Sequence, residues 1–193
     1  MSRRLMPLLV LVLGLYALQP LVAQQDGWTS LFDGKTLNGW NVVGDANWRV
    51  VDGYMEATSG GGYLVTPNAY GDFQMSVDFW VTPDANSGVF IRCADPMMIT
   101  ANNSYEVNIF DMRPDPKFRT GGIVNIASPT AMINAGNQWN TFVITAQGPK
   151  LTVVLNGTTV VDGVENTQFA RGPIALQYGA GTVRFRNVRI RAL

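Results

Sequence analysis

Histidine does not occur anywhere in the 193-residue chain. That excludes Ser-His-Asp and Cys-His nucleophilic constellations, His-Glu zinc motifs, and any imidazole acid, base or metal ligand. A single cysteine, Cys93, excludes an intramolecular disulfide, so stability has to come from packing. Glutamate occurs only as Glu56, Glu106 and Glu165, and lysine only as Lys35, Lys117 and Lys150, so the commonest solvent-facing helix formers are nearly missing. An excess of either charge is missing too. The 14 Lys and Arg balance 14 Asp and Glu, and without a clustered basic excess a nucleic-acid partner is not expected. Chemistry in such a chain runs on carboxylates, Arg, Lys, Tyr, backbone groups or a hard cation.

What is abundant is turn chemistry. The chain holds 20 Gly, 10 Pro and 15 Asn, the set that punctuates short strands. The fold class read from this is all-β. Arg3 and Arg4 precede an apolar run from Leu5 to Leu18, followed by Gln19, Pro20 and the small Ala23. A positive start, a short apolar stretch and a small residue predict a secretory signal peptide over residues 1–23. The run is shorter than the roughly 20 apolar residues a membrane helix needs, and Pro7 and Gly14 interrupt it. The expectation is an exported protein, periplasmic or extracellular, with one domain over residues 24–193 and no membrane attachment after cleavage. In an oxidising compartment a lone thiol is safest buried, and Cys93 reads as core packing.

Along the rest of the chain the pattern predicts about eleven short strands at roughly 8 to 12-residue spacing, the signature of a two-sheet sandwich or barrel. The clearest is Phe73 to Val81, apolar at every odd position. Asp52-Gly53 and Asn156-Gly157 each stand between two such runs and predict tight hairpins. A further strand is expected over Ile123 to Ile126. Val183 and Phe185 give way to Val188 and Ile190 across Asn187, which predicts a bulge there. Arg184 and Arg186 share a face of that last strand and read as solvation of an edge.

Candidate chemistry gathers on the strand Tyr105 to Phe110, between two long loops, Asp95 to Ser104 and Asp111 to Thr120. Period two places Glu106 and Asn108 on one face and Asp111 on the other, unless a bulge returns Asp111 to their side. Laminarinase-type glucanases space an acidic triad in the same way on a bulged strand. Paired carboxylates serve as acid, base or nucleophile in glycoside chemistry. Arg92, on the preceding strand, would reach Glu106 if the two strands are neighbours. A structural ion pair is the alternative reading of that contact.

Several ordered motifs resemble one family. Trp28-Thr29-Ser30-Leu31-Phe32-Asp33-Gly34-Lys35-Thr36-Leu37-Asn38-Gly39-Trp40 looks like the opening signature of the 3-keto-disaccharide hydrolases. Trp48 to Gly53, Ala85-Asn86-Ser87-Gly88-Val89-Phe90-Ile91-Arg92, Tyr105 to Asp111, Trp139-Asn140, Leu155-Asn156-Gly157, Ile174-Ala175-Leu176-Gln177 and Val183 to Val188 follow in order. The resemblance implies a concanavalin A-like jelly-roll sandwich of two antiparallel sheets. It also implies action on glycosides already oxidised to a ketone at C3, and a site on the concave sheet. Carried over residue by residue, it implies Glu106, Asp111 and Arg92 as catalytic, with Asn86, Asn108 and Gln177 binding substrate. Many members carry a His shortly after the Leu-Gln pair, where this chain reads Tyr178-Gly179.

A mechanism without imidazole follows. The ketone acidifies the C2 proton, so Glu106 acts as base, Arg92 stabilises the enediolate, Asp111 protonates the leaving group, and water then adds at C1. No organic cofactor is expected. A divalent cation held by carboxylates and amide oxygens is the alternative to Arg92 as the positive charge. A non-catalytic carbohydrate-binding module on the same fold is the competing reading, and an accessory role in envelope assembly a third.

Overall fold

The computed structural model describes residues 27–193, so the expected signal peptide lies outside the described residues. Thirteen strands follow in order: Thr29–Ser30 (β1), Asn41–Gly44 (β2), Arg49–Val51 (β3), Tyr54–Ala57 (β4), Gly62–Val65 (β5), Phe73–Val81 (β6), Ser87–Ile91 (β7), Tyr105–Ile109 (β8), Trp139–Gln147 (β9), Lys150–Leu155 (β10), Thr158–Glu165 (β11), Ala175–Tyr178 (β12) and Val183–Ala192 (β13). They form an eight-stranded sheet in the order β11-β10-β9-β6-β13-β4-β3, with β1 alongside β13, and a five-stranded sheet in the order β2-β5-β12-β7-β8. Every pairing is antiparallel. This is the jelly-roll sandwich the motifs imply.

The alternation that marks β6 and β9 in sequence sends one side of each into the space between the sheets. Phe79 and Phe142 stack there with centroids 4.7 Å apart. Leu64, Val89, Val107 and Leu176 close the layer from the five-stranded sheet. Each such side chain contributes about 2 kcal/mol by leaving water, which is how a chain with no disulfide holds together. Both predicted hairpins form. Asp52 and Gly53 have φ of 46° and 84°, and Asn156 and Gly157 have 50° and 81°, the left-handed pair that a two-residue turn demands and that Asn-Gly and Asp-Gly adopt cheaply.

Several expectations are corrected. Val124 and Ile126 build no strand of their own. Ile123 makes an isolated bridge to Val107, and the chain then turns tightly. Strand β13 is not an edge: it pairs with β6 on one side and with β4 and β1 on the other. The bulge at Asn187 does form, with φ of 51° and a register shift between Arg186 and Arg189. Among the described residues, no helix is long and apolar enough to cross a membrane.

Candidate functional site

The outer face of the five-stranded sheet is set by register. Gly88 pairs with Asn108, Phe90 with Glu106, Ala175 with Phe90, and Gln177 with Tyr63. Because side chains alternate, Glu106, Asn108, Gln177, Gly88, Phe90 and Tyr63 all point away from the core, while Tyr105, Val107, Ile109 and Leu176 point into it. Asn86 joins them by the same period. It pairs with the Gly179–Ala180 turn, and its side-chain amide lies so close over Gly179 that a Cβ there would meet Nδ2 at 3.1 Å. Four of the six expected site residues therefore share one face.

Strand β8 is the edge of its sheet, and the loop after it closes that edge. Gly121 donates to the Asn108 carbonyl at 2.9 Å, Asn108 to Gly122 at 2.9 Å, and Val124 to Glu106 at 3.0 Å. The loop before it folds over the same face: Ile99 packs with Val65, Phe90, Cys93 and Ala175, and its carbonyl accepts from the Tyr63 hydroxyl at 3.0 Å. Together the two loops strip solvent from the polar groups between them.

Glu106 is only 9% exposed, and its carboxylate has no hydrogen-bond partner among the described residues. It leans over Gly88, whose missing side chain leaves the space. Burial raises its pKa to about 7, with the charge of Arg113 pulling the other way. Asn108 is fully buried. Its Nδ2 donates to the Phe118 carbonyl, while Oδ1 has no partner. Gln177 Nε2 donates weakly to the Tyr63 hydroxyl at 3.4 Å, and its buried Oε1 is likewise unpaired. Burial raises the Tyr63 pKa, the hydrogen bond from Gln177 opposes this, and the Glu106 and Cys93 charges add to the rise. Unpaired buried acceptors cost stability, and here two of them, Asn108 Oδ1 and Gln177 Oε1, stand beside the Glu106 carboxylate on one face, all hard oxygens. They suit ligand hydroxyls, or a hard cation. No group of three or more His, Cys, Asp or Glu converges among the described residues.

Two expected residues lie elsewhere. Arg92 follows β7 with φ of 52° and is 1% exposed. The left-handed turn reverses the alternation, so Cys93 joins Phe90 on the outer face while Arg92 turns under the sandwich. There Nε donates to Gly71 O at 3.0 Å, Nη1 to Gly148 O at 2.8 Å and Phe169 O at 3.2 Å, and Nη2 to Asp72 at 3.1 Å. It is a structural brace, paired with Asp72 and not with Glu106. Asp111 does not rejoin the Glu106 face either: β8 ends at Ile109 with an even β7–β8 register, and Asp111 belongs to the loop beyond it. Its carboxylate accepts from the Thr120 hydroxyl at 2.5 Å and from the backbone N–H of Ala135 at 2.7 Å and Gly136 at 2.9 Å. These bonds pin the loop end to the eight-stranded sheet, where Gly136 bridges Val81. Asp111 also lines a shallow cavity of about 490 Å³ with Pro83, Met112 and Arg119, to which no residue of the Glu106 face contributes. A roomier cavity of about 790 Å³ is lined by Asp33, Asn68, Tyr70 and Arg171 and is equally separate.

The cation that does act on Glu106 is Arg113, in the loop after β8, its guanidinium 5.8 Å from the Phe118 ring centroid. Sequence reasoning passed over it. The unusual length of that loop was the signal that pointed there.

The fold is a jelly-roll sandwich, with a desolvated carboxylate among amide oxygens on the outer face of one sheet. Within that fold class, the chain belongs to the 3-keto-alpha-glucoside-1,2-lyase-like domain family, whose model matches residues 27–191. A 3-keto-disaccharide hydrolase of Bacteroides thetaiotaomicron is 30% identical over 118 residues, 48% of this chain; the match spans only 40% of that relative's length. In fold, the chain is similar to a candidate glycosyl hydrolase from Parabacteroides distasonis, with a TM-score of 0.78 and 22% identity over 86% of this chain and 94% of that one. It is also similar to the carbohydrate-binding module CBM66 from Bacillus subtilis, with a TM-score of 0.62 and 19% identity over 80% and 96% of the two chains.

Proposed function

We propose that this domain cleaves glycosides carrying a ketone at C3, by elimination followed by hydration, with Glu106 as the base. The observation that carries the reading is the Glu106 carboxylate itself: buried, without a hydrogen-bond partner among the described residues, held over Gly88, and titrating at about 7. A general base works best when its pKa lies near the working pH, and desolvation strengthens a carboxylate base toward that range. The ketone lowers the pKa of the C2–H bond. Glu106 takes that proton, the electron pair forms an enediolate across C2 and C3, and the C1–O bond then breaks with its electrons leaving on the aglycone oxygen. The proton now on Glu106 is available to that oxygen, so one carboxyl group can serve both steps and Asp111 is not needed as acid. Water adds at C1 to complete a net hydrolysis. Arg113 takes the role first expected of Arg92, offsetting the charge that develops on the enediolate oxygen. Asn86, Asn108 and Gln177 present amide groups to the sugar hydroxyls. The chain's start supports export, so the substrate would be met outside the cytoplasm.

The test follows an aryl 3-keto-glucoside in D2O with wild-type protein and with Glu106→Gln. Release of the aglycone with deuterium incorporated at C2, both lost in the variant, is the expected result. Release undiminished in Glu106→Gln would sink the assignment. The unpaired amide oxygens Asn108 Oδ1 and Gln177 Oε1 also suit a non-catalytic binding module; saturable sugar binding with neither aglycone release nor C2 exchange would favour that second reading.

A further inference from the structure

The outer face of the eight-stranded sheet, on the far side of the sandwich from Glu106, plays no part in this chemistry. The bulge at Asn187 shapes it. By adding one residue, the bulge keeps Val183, Phe185, Val188 and Ile190 in the core and turns Arg184, Arg186, Arg189 and Arg191 to the same outer face. Arg49 of β3 stands on that face as well, paired through Glu56 with Arg184.

The arginines rest on aromatic rings. Arg184 lies 5.1 Å from the Tyr54 centroid and 4.4 Å from that of Trp80, and Arg186 lies 3.8 Å over Trp139. Arg189 and Arg191 each lie 5.0 Å from Trp28. Glu56 and Asp78 are the acids among them. Glu56 is engaged by Arg49 and Arg184, while Asp78 accepts from the Thr141 hydroxyl and the Asn187 amide, both at 2.7 Å, leaving Arg186 Nε 3.5 Å away. Arg189 and Arg191 have no acidic partner among the described residues; Arg191 donates to Gln74 at 2.8 Å. Removing Arg3, Arg4 and Asp26 from the balance of 14 and 14 leaves residues 27–193 with net charge −1. Along β13 and its neighbours five arginines stand against two acids, while Lys150 and Glu165 face each other at the far β10–β11 edge, so positive charge is concentrated on the β13 side of this face in an otherwise acidic domain.

We propose that this face is a docking surface for an anionic polysaccharide, a chain of uronate sugars. The run from Arg184 to Arg191 is about 23 Å long at strand rise, and guanidinium forks match carboxylates two N–H bonds at a time. The rings hold the guanidiniums in place before any ligand arrives, so little side-chain freedom is left to lose on binding. Because those rings are already covered by arginine, the face offers ionic forks and not open stacking platforms. That disfavours a neutral glycan or single-stranded nucleic acid, both of which need exposed aromatic faces. No exposed large apolar side chain belongs to its strands, which disfavours a membrane surface. The choice of a sugar polymer over an acidic peptide rests on the glycoside reading of the opposite sheet; the cationic face does not.

The experiment is titration calorimetry of the full domain with polygalacturonate, dextran, polyglutamate and duplex DNA, using wild type, Arg189→Gln/Arg191→Gln, Arg186→Lys and Glu106→Gln. The expected result is binding of polygalacturonate that weakens with salt, at least tenfold weaker binding in the double variant, a smaller loss in Arg186→Lys, and no binding of dextran. Binding lost in the double variant and retained in Glu106→Gln places the polymer on this face even if the catalytic reading fails. The proposal is overturned if polygalacturonate does not bind at low salt or if the double variant, shown folded by its thermal transition, binds as wild type does. Equal binding of polyglutamate or DNA overturns it too, since it would report charge alone.

Discussion

Gly88 lies directly beneath the Glu106 side chain: a Cβ built on Gly88 would stand 3.2 Å from both Cγ and Oε1 of Glu106, and 3.2 Å from Cε2 of Phe90. The contacts are with buried side chains, Phe90 being only 1% exposed, so the added methyl has to be accommodated by small shifts of Glu106 and Phe90. Gly88→Ala is expected to cost about 1 to 3 kcal/mol of stability and still to fold. It should lower kcat/KM on a 3-keto-glycoside at least tenfold, because the base can no longer rest where it does. Kinetics alongside a denaturant midpoint check this, and wild-type turnover in Gly88→Ala would show that the space over Gly88 is not used.

The raised pKa of Glu106 ties activity and stability to pH in opposite senses. Deprotonation makes the base, so kcat/KM should rise with pH through about 7. The folded value lies above the ordinary glutamate value of 4.5, so the fold favours the protonated form. Its stabilisation is complete below about pH 4.5 and lost as pH rises through about 7, roughly 3 kcal/mol in all. Glu106→Gln carries no such charge. Thermal melts at pH 5 and pH 8 should show the variant gaining on wild type at the higher pH, and parallel curves would contradict the burial of the charge.

Arg92 should behave as a brace. Arg92→Met leaves the carbonyls of Gly71, Gly148 and Phe169 without the donor they share, a loss of about 3 kcal/mol or more. Arg92→Lys should recover little, since an ammonium cannot reproduce the fork. In protein that remains folded, the pH midpoint of kcat/KM should not move. A stable Arg92→Lys protein with a shifted midpoint would return Arg92 to the site.

Asp111→Asn tests the other displaced residue. Its carboxylate accepts from two backbone N–H groups and a hydroxyl; the amide can accept fewer of them, and a loss of about 1 to 3 kcal/mol is expected. Turnover per folded molecule should persist. A large drop in kcat at unchanged stability would make Asp111 the acid after all.

Local patterns carried far. Period-two alternation located most strands, two dipeptides placed the hairpins, and the phase switch across Asn187 announced a bulge that does form. The same alternation placed Glu106 and Asn108 on one face, which Gln177, named only through the family resemblance, shares. What it missed are features that depend on non-local partners. Strand β13 reads as an edge because it lies near the C-terminus, yet it sits inside its sheet.

Arg92 shows the limit most clearly. Its neighbours in sequence read as a continuous strand, but φ of 52° turns it away, and that turn is stabilised by carbonyls 21 to 77 residues distant. The scarce Glu and Lys, the abundant Gly, Asn and Pro and the alternating apolar residues by themselves pointed to an all-β sandwich, and the missing histidine excluded imidazole chemistry. Only the tertiary structure decided which carboxylate is desolvated and which is spent on backbone N–H groups. Desolvation and hydrogen-bond saturation arise from segments far apart in the chain, which no local pattern records.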